Sequence, residues 1–197
     1  MEKASLYTHY FKKVEKAIAK MSKQNVKDIY AISFWKSNVD DDPRCPIISI
    51  SYNTYSQIEE EKDNASSEQE AKWNFAFWLQ DEITMLGGED KVLRQYLKEE
   101  GYFYTLNEQS KAEKLKDKGD NTAYNEISMK DDKIQSSFME IIIRIAKEIQ
   151  KSDLIKEKIG KELPIIIHEL EYYDLPLEWT KKANPPQLIE EFLACYE

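Results

Sequence analysis

The stretch "DIYAISFWKS" constrains this chain more than any other. Read as a strand, it points Tyr30, Ile32 and Phe34 to one side and Ile29, Ala31 and Trp35 to the other. Apolar side chains on both faces call for helices or loops on both sides of the strand. The stretch "PIISISYNT" behaves differently. Ile48, Ile50 and Tyr52 share one face while Ser49, Ser51 and Asn53 share the opposite one, which predicts a half-exposed strand antiparallel to the first. The connection "SNVDDDPRC" is too long for a tight hairpin turn.

Helical spacing accounts for much of the rest. Leu6, Tyr10, Val14, Ile18 and Met21, with Phe11 beside them, mark a first amphipathic helix whose lysines make a solvated face and whose His9 lies on the exposed side. Ser67 followed by Glu70 has the spacing of a capping box. It opens "EQEAKWNFAFWLQDEI", expected as one helix ended by Gly87-Gly88. Trp73, Phe75, Phe77, Trp78, Leu79 and Ile83 would spread around nearly its whole circumference, so it is buried between layers or presented to a partner. "EDKVLRQYLKEE" predicts a shorter helix stopping at Gly101, and "YFYTL" a strand or extended connection. Residues 107–130 are polar, lysine-rich and without apolar period, the best candidate for a mobile segment. Ile134, Phe138, Ile141, Ile145 and Ile149 mark a long core helix. "PIIIHELEYYD" predicts a further strand, and "NPPQLIEEFLACYE" a last helix with Asn184 at its N-cap and Pro185 in its first turn. The expected fold is α+β in a single domain, 1–197. It combines a small, mainly antiparallel sheet of three or more strands (about 28–36, 46–54 and 164–172) with about five or six helices.

Composition narrows the class of molecule. The 197 residues carry a net charge of −9, with 33% charged, 41% hydrophobic and 12% aromatic. That hydrophobic share can build a core, and the acidic balance argues against nucleic acid and anionic membranes while suiting a basic protein partner. No apolar run approaches the ~20 residues that cross a bilayer, and "MEKASLY" lacks the features of a signal peptide. Cys45 and Cys195 form neither a disulfide framework nor a zinc site, so a cytoplasmic location is expected.

Chemistry is concentrated in "PIIIHELEYYD". As a strand it places Ile166, His168, Leu170 and Tyr172 on one face and Ile165, Ile167, Glu169, Glu171 and Tyr173 on the other. His168 and Glu169 thus point apart, and position 172 holds tyrosine where a zinc-protease helix needs its second histidine, so no metal site is expected. Glu169 and Glu171 share a face, as paired acid–base carboxylates or as charges where the strand meets water or a cationic partner. No nucleophile elbow, phosphate loop or dinucleotide fingerprint is present, and no cofactor is implied.

Taken together, "DIYAISFWKS", "YNT", "EAKWNFAFW", "IIIHELEYYD" and "ANPP" resemble a family of bacterial domains of unknown function. Some of its members lie near polymorphic toxins, where immunity proteins are common. The resemblance spans Asp28 to the C-terminus and brings no catalytic residues with it. With the acidic charge, the aromatic surplus and the missing catalytic motif, the resemblance leads to the expectation of a non-enzymatic protein-binding module, an immunity protein whose partner is a basic toxin. Its expected contacts are aromatic anchors at Trp73, Trp78, Tyr172 and Tyr173 and charges at Asp40, Asp41, Asp42, Glu169, Glu171 and Asp174. Two alternatives stand beside it: a small hydrolase using His168 with Glu169 or Glu171, and a homo-oligomeric structural protein joined through exposed aromatics.

Overall fold

The segment expected to need cover on both faces is the longest strand of a four-stranded sheet. The computed structural model describes residues 3–21 and 23–196. Helix α1 (Lys3–Met21) precedes strands β1 (Ile29–Asn38) and β2 (Pro46–Thr54). Helices α2 (Tyr55–Glu61) and α3 (Glu68–Trp73) come before strand β3 (Thr84–Gly87). Then follow α4 (Lys91–Glu99), α5 (Leu106–Lys116), α6 (Thr122–Lys151) and α7 (Leu154–Ile159). Strand β4 (Ile165–His168) and helices α8 (Asp174–Ala183) and α9 (Glu190–Leu193) complete the order. The sheet runs β3-β2-β1-β4, antiparallel except for the β1–β4 pair, so the α+β, mainly antiparallel expectation holds.

One residue resets the alternation of β1. Ile29 pairs with Thr54 and Ala31 with Asn53, leaving Tyr30 as the extra residue of a bulge. Ile29 therefore joins Ile32 and Phe34 on one side, while Tyr30 joins Ala31 and Trp35 on the other. Strict alternation had assigned these two residues the opposite way.

The first side of the sheet is covered by helices. Leu6, Tyr10, Val14, Ile18 and Met21 of α1 and Ile134, Phe138, Ile141, Ile145 and Ile149 of α6 are each at most 1% exposed. Full burial of such side chains stabilises by about 1.5–3 kcal/mol each. The second side carries Tyr30, Trp73, Phe75, Trp78, Ile166 and Phe192, an aromatic layer. It also covers the serine face of β2, where Ser49, Ser51 and Asn53 are buried, so β2 is not the half-exposed strand its pattern suggested.

The long aromatic helix is corrected by the structure. α3 stops at Trp73, Asn74 leaves the helical region, a 3₁₀ turn spans Phe75–Phe77, and the chain runs on to β3. Side chains take the carbonyls that would continue the helix. Lys72 O accepts from Trp78 Nε1 (2.7 Å) and from Tyr30 OH, and Trp73 O accepts from Tyr196 OH (3.0 Å). Asn74 Oδ1 meanwhile caps Ala76 N at 3.0 Å. The capping box at Ser67 is also half made. Ser67 Oγ accepts from Glu70 N, but the Glu70 carboxylate takes Ser66 N at 2.7 Å.

Residues 107–130, read as a mobile polar segment, comprise most of α5, a turn and the start of α6. Asn184 is not an N-cap. It ends α8, and its side chain turns back onto β4, accepting from Ile165 N (2.8 Å) and donating to Ile165 O (2.7 Å). Thr180 Oγ1 does the same for Ile167, accepting from its N–H at 2.9 Å and donating to its carbonyl at 3.0 Å. Two side chains, one in α8 and one at its C-cap, thus stand in for a neighbouring strand and close the sheet edge.

Candidate functional site around His168 and the segment after β4

Strand β4 runs parallel to β1 with His168 opposite Trp35, and ends there. The imidazole is wholly buried, ringed by Phe75, Trp78 and Tyr172 at centroid distances of 4.5, 5.6 and 5.6 Å. Nδ1 lies 2.8 Å from the Glu169 carbonyl, which only accepts, so Nδ1 carries the proton. Nε2 then accepts from the Ser33 hydroxyl at 2.8 Å. Burial drives the imidazole pKa down to about 4, only partly opposed by the bond to the Glu169 carbonyl. The ring is neutral at ordinary pH.

A serine donating to a neutral histidine has the spacing of a nucleophile and its base. Here both side chains are 0% exposed beneath an aromatic layer, so nothing reaches the hydroxyl. Nothing in the sequence marks Ser33, a lone serine within the apolar run 29–35. Neither carboxylate of the anticipated His168 pairings meets the imidazole. Glu169 sends its carboxylate away to Lys36 Nζ at 3.0 Å and accepts from Tyr173 OH, and Glu171 is exposed. The pair of glutamates is not a pair in space around the histidine.

The aromatic anchors divide. Trp73 and Trp78 are each 3% exposed, built into the second core, which corrects the expectation that they face a partner. Tyr172 is largely interior, stacked near Tyr196 and Phe192, and burial raises its phenol pKa well above the usual value. Tyr173 is half exposed. Its neighbours Leu170 and Leu175 are 70% and 56% exposed, a density of open apolar surface that no periodicity announced. Glu171 and Asp174 are exposed among them.

The acidic turn joins β1 to β2 and is tied to α6 by Gln135, whose Nε2 donates to the Asn38 side chain (3.1 Å) and to the Pro43 carbonyl (2.8 Å). Asp40 and Asp41 are exposed with left-handed backbones, whereas Asp42 grips Arg44 through Nε (2.9 Å) and the backbone N–H (2.9 Å). Hydrogen bonds from Arg44 hold the Asp42 carboxyl below its ordinary range against the opposing effect of burial. His9, expected to be simply exposed, contacts Asp90 at 3.0 Å, and Lys13 contacts the same carboxylate at 3.1 Å.

Beside the segment after β4 lies an open groove of about 410 Å³ between α6 and α8. Met139, Ile143, Leu175 and Trp179 give it apolar walls, and Lys36, Asp132, Glu140, Glu169 and Lys182 give it charge. Among the described residues no three His, Cys, Asp or Glu side chains gather where they could hold a metal ion, and no helix is long and apolar enough to cross a membrane. Fold and site together define an α+β protein with a sealed histidine and an open acidic–apolar face. No protein-family model, curated protein or solved structure matches the chain.

Proposed function

We propose that this chain is a non-enzymatic protein-binding module, and in its particular form an immunity protein that covers the working surface of a basic toxin. The observation that carries the reading is the exposure of Leu170, Tyr173 and Leu175 within one short segment that also displays Glu171 and Asp174. Apolar side chains surrounded by acids suit an interface in which contact is apolar and encounter is steered by charge. The net charge of −9 favours a cationic partner, and a cytoplasmic location, where Cys45 and Cys195 stay reduced, accompanies the reading. The hydrolase alternative has less support, because His168 touches neither Glu169 nor Glu171 through a carboxylate and is closed to substrate.

The test is co-expression with the products of the genes adjacent to its own. One neighbour should be toxic alone, lose its toxicity beside this chain, and co-purify in a complex that weakens as salt rises. Leu170→Ser with Leu175→Ser should weaken that complex at least tenfold, an effect of about 1.4 kcal/mol or more. Absence of any toxic or co-purifying neighbour overturns the reading.

A further inference from the structure

The groove between α6 and α8 combines apolar and charged lining. Met139, Ile143, Leu175 and Trp179 make part of its lining apolar, yet charged side chains line it too. Three carboxylates line it, Asp132, Glu140 and Glu169, against two ammonium groups, Lys36 and Lys182. Lys36 is already engaged with Glu169 at 3.0 Å, and Lys182 reaches Glu178 at 3.6 Å. Asp132 has no cationic partner among the described residues. Asp132 is thus a lining carboxylate, exposed and available to an incoming cation.

We infer that this groove receives a single arginine or lysine side chain of the protein partner. Long cationic side chains bury an aliphatic stem on apolar surface and keep the charged head at a polar rim. The apolar lining here matches the stem, and the exposed carboxylate of Asp132 matches the head. Trp179 and Tyr173 add aromatic surface on which a guanidinium can stack. The chain supplies its own precedent. Lys36 lies along this groove with its side chain only 11% exposed while its ammonium reaches Glu169. At about 410 Å³ the groove falls within the roughly 300–1,000 Å³ span of ligand sites, with ample room for one long side chain. The inference rests on the protein-binding reading and names what the partner inserts beside Leu170 and Tyr173.

The test uses the full chain and two probes, acetyl-arginine amide and its uncharged analogue acetyl-citrulline amide, titrated while NMR follows the Trp179 indole N–H and the Ile143 methyls. Arginine should give saturable shifts at both, with citrulline about threefold weaker, the size expected of one exposed ion pair. Asp132→Asn should bring the two probes to equal affinity, and raised salt should do the same in the unmodified chain. Equal binding of both probes without substitution, or shifts that avoid Trp179 and Ile143, overturns the inference. If the probes fail while Leu170→Ser, which lies outside the groove lining, still releases the partner, only the groove assignment falls. If Leu170→Ser leaves the partner bound while arginine still selects the groove, the fault lies with the assigned contact segment.

Discussion

Asn184 shows how much one side chain can hold. Its amide serves Ile165 N, Ile165 O, Thr180 O and Gln150 Nε2, joining β4, α8 and α6. Asn184→Ala should destabilise the protein by about 3 kcal/mol, because the buried Ile165 N–H is left without an acceptor. Denaturant titration checks this, and a loss below about 1 kcal/mol would show that the strand relaxes onto another partner. His168 yields a pH prediction. Its pKa is about 4 in the fold against about 6.5 in an unfolded chain, so between these values the unfolded state binds the proton more tightly. Its contribution is therefore intact above the unfolded pKa and drains away as pH falls toward 4, to a total of roughly 3 kcal/mol. His168→Gln should flatten the stability profile between pH 6.5 and 5, where most carboxylates remain ionised. A slope unchanged by the substitution would mean that other groups set it.

At the scale of elements, β4 is a very short strand with a side-chain substitute for a neighbour along its free edge. Thr180→Val keeps shape but removes the acceptor of the Ile167 N–H. Exchange of that amide should quicken by at least tenfold, with a stability loss of about 1–3 kcal/mol. Unaltered exchange would place its protection elsewhere. Gly87, at the end of β3, has φ +89°, and an added Cβ would lie 2.1 Å from the Pro46 carbonyl. Gly87→Ala should accordingly cost about 2 kcal/mol or more, read from the thermal midpoint.

These elements also show what could be read beforehand. α1 and the core half of α6 were legible because their apolar residues keep a helical period over several turns. α5 lacks that period but begins with a complete capping box between Thr105 and Glu108, a local signal present in "TLNE" that outweighs the absence of an apolar face. The aromatic helix was misread because its end is imposed from afar, by Tyr30, Trp78 and Tyr196 bonding to the carbonyls of Lys72 and Trp73. No window of sequence contains all of those partners. At the candidate site, the outward turn after His168 was readable from the change from isoleucine to acids. The surface position of Leu170 and Leu175 was not, since a leucine in a polar stretch ordinarily signals burial.

The molecule as a whole places an aliphatic helical core on one face of the sheet and an aromatic core on the other. Trp73 and Trp78 belong to the aromatic core and Trp35 packs against it, whereas Trp179 packs against the aliphatic one, so in a Trp179→Phe background tryptophan emission follows the aromatic layer, while far-ultraviolet dichroism follows the helices, α6 above all. Because β1 contributes to both cores, the two signals should lose structure together in denaturant. Separated midpoints would show that the layers unfold independently. The same arrangement leaves the outward end of β4 as the place where interior order gives way to charge. There the polypeptide shows Leu170, Tyr173 and Leu175 beside the groove faced by α6 and α8. Hydrogen exchange of the chain alone and bound to a co-purified cationic neighbour tests this account most directly. Slower exchange across residues 169–175 and around Trp179 is the predicted result. Protection confined to α1 and α4, with the segment after β4 exchanging as freely as before, would contradict it.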